Sequence, residues 1–307
     1  MKPDISVVVP IFNEEKNIPI LHSRLNKALF HLTNKYEIIY INDGSSDKSL
    51  KLLKQINKRD KKTKIISFSR NFGHMPAIIA GLSVCEGKKV VIMDADLQDP
   101  PEVIPKLYQK SLEGYQVVYG IKKNRKEGGI KNLMFSAFYR ILNNLSAFKM
   151  PLDAGTFSIV DKKVVDLMIQ MPERNKYFSG LRAWTGFAQT GVVYKRAKRY
   201  KGKPASFRRL FKLAMDGIIS FSHIPLRLAS ILGFIFASIA FIFIILVAIG
   251  RLFFGLGIVG WASTMSTILL IGGIQLITLG IIGEYLARIY DEVKRRPEYI
   301  ISEKIGF

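Results

Sequence analysis

The chain has 307 residues, of which 49% are apolar and 23% charged, and it carries a formal net charge of +22. Such a length allows two domains, or one domain with an appendage, and the single cysteine, Cys85, excludes an internal disulfide and a cysteine-rich metal site. High apolar content and high charge coexist because they are segregated: residues 1–227 hold most of the charge, whereas 228–250 and 252–283 hold none.

In chain order, Met1-Lys2-Pro3-Asp4 leads into the apolar run Ile5 to Ile11, which is too short for a secretory signal. Ile5-Ser6-Val7-Val8-Val9 is β-branched and ends at Pro10, which predicts a first strand. Ile18, Leu21, Leu25, Ala28, Leu29 and Leu32 recur at helical spacing within residues 14–33. Glu37 to Ile41 reads as a second strand stopped by Asn42-Asp43-Gly44, and a helix follows from Ser46 or Asp47 through Leu50, Leu53 and Ile56. Strands are predicted at Lys64–Phe68, Lys89–Met93 and Val117–Gly120, with a helix over 74–85. Cys85 lies in an apolar run and reads as a buried structural thiol.

Apolar strands alternating with helices imply an α/β domain whose mostly parallel sheet is covered on both faces. Ligands of such sheets sit at the carboxyl ends of the strands. Asn13 and Glu14, Asp43, Ser69 and Arg70, and Asp94 and Asp96 all follow strands and belong to that edge. No Gly-x-Gly-x-x-Gly follows the first strand, which argues against a dinucleotide cofactor.

Residues 204–227 are basic and amphipathic: Phe207, Leu210, Phe211, Ala214, Ile218 and Phe221 alternate with Arg208, Arg209 and Lys212. That pattern suits a helix lying in a membrane interface. Leu228 to Gly250 is long enough to span a bilayer, and so is about 262–284 in the next uncharged stretch. Basic residues flank both, from Lys195 to Arg227 before and from Arg288 to Arg296 after, with only Arg251 between. The positive-inside rule then expects a multi-pass protein of the inner (plasma) membrane, with both termini cytoplasmic. The expected domains are a catalytic domain over 1–203, interfacial helices over 204–227, two spans within 228–287 and a tail over 288–307. Gly272, Gly273, Gly280 and Gly283 are small residues of the kind that permit helix packing in lipid, and they point to a homo-oligomer.

The sharpest chemical feature is Asp94-Ala95-Asp96. Two carboxylates two positions apart, where a strand breaks into a loop, can converge on one hard cation such as Mg2+ or Mn2+.

Three motifs in order carry a resemblance. Val8-Val9-Pro10-Ile11-Phe12-Asn13-Glu14-Glu15 resembles the opening strand of family 2 glycosyltransferases of the GT-A fold, and Asn42-Asp43-Gly44-Ser45-Ser46-Asp47 resembles their second signature. Asp94-Ala95-Asp96-Leu97-Gln98-Asp99-Pro100-Pro101 is similar to the form found in dolichyl- and polyprenyl-phosphate sugar transferases. With the expected pair of spans, nearly the whole chain resembles the bacterial polyprenyl-phosphate glucosyltransferase branch that serves O-antigen modification.

The resemblance implies a Rossmann-like GT-A catalytic domain. It also implies inverting transfer of a hexose, glucose by branch, from UDP-glucose or another nucleotide-sugar to polyprenyl phosphate. Pro10, Phe12, Glu14 and Asp43 would meet the nucleoside, while Asp94, Asp96 and Gln98 would ring the metal and diphosphate. Lys122, Lys123, Lys131 and Arg140 are candidates for donor or acceptor phosphates, and Arg125 is preferred because guanidinium binds phosphate bidentately. Relatives often place an acid before the Phe of the segment Asp153 to Phe157 and an Arg after it; this chain has Thr156 and Ser158, leaving Asp153 as the remaining acid, to orient the acceptor or to cap a helix. His74, a lone histidine, reads as structural. The rival readings are a processive polysaccharide synthase, whose Gln-x-x-Arg-Trp motif Leu181-Arg182-Ala183-Trp184 does not match, and a non-enzymatic basic module tethered to a membrane. The basic module would account for the charge but not for ordered acids at strand ends, so no nucleic-acid partner is expected.

Overall fold

The runs of β-branched residues become the centre of an eight-stranded sheet. In chain order its strands are β1 (Ile5–Ile11), β2 (Tyr36–Asn42), β3 (Thr63–Phe68), β4 (Lys89–Ile92), β5 (Val117–Lys123), β6 (Ala154–Asp161), β7 (Gln189–Lys195) and β8 (Ile301–Ile305). They are arranged β7-β5-β6-β4-β1-β2-β3-β8. The computed structural model describes residues 2–123, 154–173, 176, 178–195, 224–254 and 260–307. They fall into two units, Met1–Lys212 with Arg296–Phe307, and Leu213–Arg295.

Strands β4, β1, β2 and β3 run parallel, and β5 and β7 run parallel to each other. Strand β6 is antiparallel to both β4 and β5. All seven residues of β1 and all seven of β2 are buried. Side chains alternate between the two faces. Ile5, Val7, Val9 and Ile11 pack with Leu21, Leu25 and Leu29 of α1 (Ile18–Phe30), and with Ile104 and Leu107 of α4 (Ile104–Leu112). On the opposite face Val8, Ile39 and Ile41 pack with Ala77, Ile78 and Leu82 of α3 (His74–Val84) and with Val164 and Val165 of α5 (Lys162–Gln170). Each such fully buried aliphatic side chain contributes about 1.5–3 kcal/mol. Burial also pushes the Cys85 thiol up to about 12.

Helix α2 (Ser49–Arg59) begins later than Ser46 or Asp47: Lys48 is its N-cap, and Asp47 stands just before it with Oδ1 accepting the Ser49 N–H at 2.9 Å. The fifth strand extends to Lys123 because it pairs with β7 as far as Lys195. A short helix α6 (Phe178–Trp184) precedes β7.

Residues 301–305, expected within a tail, close one edge of the sheet. Strand β8 pairs antiparallel with β3, the Ser69 N–H donates to the Ile300 carbonyl at 3.0 Å, and Ser302 Oγ donates to the Ser67 carbonyl at 2.9 Å. The Tyr299 ring stacks on Phe68 at 5.0 Å, and Lys176 pairs with Glu298 at 2.7 Å.

In the second unit the described residues form α7 (Ile224–Phe254) and α8 (Trp261–Lys294). Among the described residues one helical stretch, Leu270–Lys294, is long and apolar enough to cross a membrane. The apolar stretch Ala229–Phe243 of α7 is shorter than the roughly 20 residues a span requires. Among the described residues, therefore, α8 meets one of the two expected spans, and the second is not shown. The interfacial segment expected over 204–227 lies outside the described residues up to 223.

Candidate active site

Topology brings the chemical residues to one edge. The carboxyl ends of β1 to β4 lead into Asn13, Asp43, Ser69 and Asp94. Because β6 runs against β4 and β5, its first residues, Ala154 and Gly155, lie at that same edge, beside the ends of β5 and β7.

The loops after β1 and β2 are stitched together by their own polar side chains. Asn13 takes a left-handed conformation, with φ of 56°, its N–H donates to Ser45 Oγ at 3.0 Å, and its Oδ1 accepts the Ser46 N–H at 2.8 Å. The Glu14 N–H donates to Ser49 Oγ at 3.0 Å, and Glu14 Oε2 accepts Asn17 Nδ2–H at 2.6 Å. Pro10 is buried in β1, whereas the Phe12 side chain stands 48% exposed just past the strand, free to cover a flat ligand.

Asp43 is buried, and its carboxylate is held by backbone. Oδ1 accepts the Phe72 N–H at 2.7 Å and Oδ2 the Gly73 N–H at 3.0 Å. Burial raises its pKa and outweighs those N–H bonds and the His74 charge, which lower it. Gly44 next to it has φ of 63°, and a Cβ there would come within 2.3 Å of the Arg70 carbonyl carbon, so no other residue fits this crossing.

The acidic loop after β4 is tightly constrained. Leu97 has φ of 60°, a costly conformation for a branched side chain, and is fixed by burial in the core. The turn lets the Gln98 N–H reach Asp96 Oδ1 at 3.1 Å. Asp94, Asp96 and Gln98 are partly exposed, and Asp99 is buried and hydrogen-bonded by the Tyr194 hydroxyl of β7.

His74 was read from sequence as structural. Its Nε2 lies 2.8 Å from Asp94 Oδ1, which joins the start of α3 to the acidic loop. Burial lowers the imidazole pKa, but the Asp94 hydrogen bond and the charges of Asp94, Asp43 and Asp96 raise it further, and the net shift is upward.

The donor set fits a hard divalent ion. It consists of two carboxylates and one amide oxygen, all partly exposed. Among the described residues no three His, Cys, Asp or Glu side chains form a cage that could hold a metal alone. An ion held by Asp94, Asp96 and Gln98 would need the rest of its oxygen shell from water or from a phosphorylated ligand, as Mg2+ does.

The basic residues group where β5, β6 and β7 meet this edge. The Lys122 Nζ lies 3.4 Å from the place a Cβ on Gly155 would occupy, and Lys123 is the last residue of β5. Arg125, Lys131, Arg140 and Asp153 lie outside the described residues. Sequence reasoning missed Arg182. This residue is 1% exposed, its guanidinium lies over the Tyr119 ring at 5.1 Å, and its Nη1 is 3.4 Å from the Gly155 carbonyl. An arginine amid the apolar residues Phe178 to Trp184 was the available signal.

Comparisons with known proteins give the family of the chain. The profile described as "Glycosyl transferase family 2" matches residues 6–168. An uncharacterized glycosyltransferase of Bacillus subtilis, YkcC, is 43% identical over 98% of this chain and 94% of its own length. A prophage-derived bactoprenol glucosyl transferase of Shigella flexneri is 39% identical over 97% of each chain. Among solved structures, glucosyl-3-phosphoglycerate synthase from Mycobacterium tuberculosis with uridine diphosphate is similar at a TM-score of 0.47 and 19% identity, covering 71% of this chain and 78% of that one.

Proposed function

Because the chain belongs to glycosyl transferase family 2 and is a glycosyltransferase, we propose that it moves glucose from UDP-glucose to the phosphate of a polyprenol, with inversion, at the inner face of the plasma membrane. The observation that carries this reading is the shared sheet edge, where Asp94 and Asp96 follow the carboxyl end of β4, Gly155 lies at the start of the adjacent β6, and Lys122 and Lys123 end β5 on the far side of β6. An acidic side for a nucleoside diphosphate and its counterion, next to a basic side for a second phosphate, suits a reaction between two phosphorylated substrates. The acceptor and sugar rest on relatives such as the Shigella bactoprenol glucosyl transferase, aligned along the full chain.

In this reading Phe12 and Pro10 flank the nucleoside, and Asp43 and Glu14 accept its hydrogen bonds. Asp94, Asp96 and Gln98 would hold Mg2+ or Mn2+, which would neutralise charge developing on the departing diphosphate. Lys122, Lys123, Lys131 and Arg140, with Arg125 foremost among the basic residues, bind donor or acceptor phosphate, and Asp153 orients the acceptor. The lipid phosphate is already an anion near neutral pH and attacks the anomeric carbon directly, so positioning and charge neutralisation do most of the catalytic work. The exposed apolar side chains of α7 and α8, among them Phe234, Phe241, Phe243, Leu276 and Ile277, face lipid as a two-span hairpin with both termini cytoplasmic. The small residues of α8 pack copies of the chain into an oligomer.

The test is transfer of labelled glucose from UDP-glucose into an organic-extractable product by purified protein with polyprenyl phosphate and Mg2+. A lipid product abolished by chelator is expected. No lipid product with any nucleotide-sugar would overturn the acceptor, and with it the proposal.

A further inference from the structure

Tyr194 belongs to β7, the strand at the far edge of the sheet, three positions from β4 in the order β7-β5-β6-β4. Its phenol nevertheless ends on the acidic loop after β4, where its hydroxyl donates to Asp99 Oδ1. Two features of the intervening strands make this reach possible. Gly120 of β5 has no side chain, and a Cβ there would lie 2.6 Å from Tyr194 Cε1. Phe157 of β6 meets the Tyr194 ring edge-on at a centroid distance of 5.6 Å. Both ends of the contact are buried, Tyr194 at 5% exposure and Asp99 at 2%.

Asp99 lies between Gln98 and Pro100-Pro101, the residues that lead into α4. The loop it belongs to contains the left-handed Leu97, and strained backbone persists only where its surroundings over-determine it. Restraints among the described residues include the Leu97 side chain in the core, the Gln98 N–H on Asp96, His74 on Asp94, and the Tyr194 hydroxyl on Asp99. The Tyr194 restraint comes from the β5–β7 side of the sheet, where Lys122 and Lys123 lie.

We propose that Tyr194 is a positioning residue that, through Asp99, holds Asp94 and Asp96 converged on the cation and diphosphate of the donor. This rests on the reading that the acidic loop holds a metal–diphosphate pair. A phenylalanine would fill the same space beside Gly120 and Phe157, so the hydroxyl serves the loop and not the packing. Outer partners that orient metal ligands typically change metal affinity by about 10–100-fold when removed.

The experiment uses the full-length detergent-solubilised protein and follows free Mn2+ by paramagnetic resonance in the presence of UDP, with thermal melting recorded for each variant. Tyr194→Phe is compared with wild type and with Tyr36→Phe, which removes another hydroxyl of the same unit, one that donates to Asn26 Oδ1 at 2.9 Å. The expected result is a Mn2+ dissociation constant raised about tenfold or more in Tyr194→Phe alone, with both variants melting alike. Asp99→Ala breaks the bond from the other side, and the double variant should lose no more Mn2+ affinity than Asp99→Ala does, because the two groups act as one unit. Wild-type Mn2+ affinity in Tyr194→Phe, or a loss equalled by Tyr36→Phe, would overturn the inference alone. A wild-type protein that takes up no Mn2+ with UDP would overturn the metal reading and this inference together.

Discussion

At the amino ends of the parallel strands, Glu37 is enclosed by donors. Its Oε1 accepts hydrogen bonds from Ser6 Oγ and, at 2.8 Å, from the Glu86 N–H, and its Oε2 pairs with Lys64 at 2.8 Å. At the carboxyl ends of the same strands Asp43 is as well buried but is held by the Phe72 and Gly73 N–H groups, while Asp94 and Asp96 stay partly open to solvent. The contrast separates two uses of a carboxylate in one sheet. A side-chain cation neutralises Glu37 and closes its site, which is a stability device. Backbone N–H groups orient Asp43 without cancelling its charge, and the loop carboxylates stay partly open to solvent, with Asp94 against the His74 imidazole.

The largest effect should come from breaking the closed end. Glu37→Ala leaves the Lys64 ammonium, 19% exposed, without its partner, and should lower stability by about 3–5 kcal/mol. Chemical denaturation would check this, and turnover per folded molecule should not change. At the open end Asp96→Asn should leave the melting temperature in place and reduce glucosyl transfer at least about a hundredfold, since in the proposed function it removes charge aimed at the departing diphosphate. If Asp96→Asn unfolded the protein instead, the two ends would not differ in kind.

Asp43→Asn sharpens the comparison through pH. Burial raises the Asp43 pKa, so the native state holds the proton more tightly than the unfolded chain, and wild-type stability falls as pH rises through the window just above 3.8. The asparagine variant lacks that fall. Its melting temperature relative to wild type should become more favourable from pH 4 to pH 7, while its affinity for the nucleotide drops.

The smallest effect is expected at the exposed pair Arg24–Glu102. The Arg24 hydrogen bond holds the Glu102 carboxyl below its ordinary 4.5, so the pair's contribution is present above that value and is lost as pH falls through the lower folded one. Glu102→Gln should shift stability at pH 7 by no more than about 0.5 kcal/mol, and thermal melts should show a shallower acid limb.

Much of the central sheet was legible because its strands are buried on both faces, which turns each into an unbroken apolar run. The predicted strand Lys64–Phe68 is β3 within one residue, and Lys89–Met93 is β4 within one residue. The same logic located Asn13, Asp43, Asp94 and Asp96, since polar residues directly after such runs fall at the ligand edge. Strand β8 was not legible. Ile301-Ser302-Glu303-Lys304-Ile305 has three exposed residues and no apolar period, and it is a strand because β3 offers an open edge to pair with. His74 beside Asp94, Arg182 beneath Gly155 and Tyr194 on Asp99 are contacts across 20, 27 and 95 residues, and no local pattern encodes them.

By itself, then, the sequence determined the parallel core, the order of its acidic motifs and the segregated apolar C-terminal region, because each depends on which residues are apolar and in what period. The tertiary structure decided which acid is closed by a cation and which is held by backbone, and which distant strand braces the acidic loop. Those outcomes depend on strand order and on the space left by residues such as Gly120, and these are set only when the antiparallel β6 is inserted between β4 and β5.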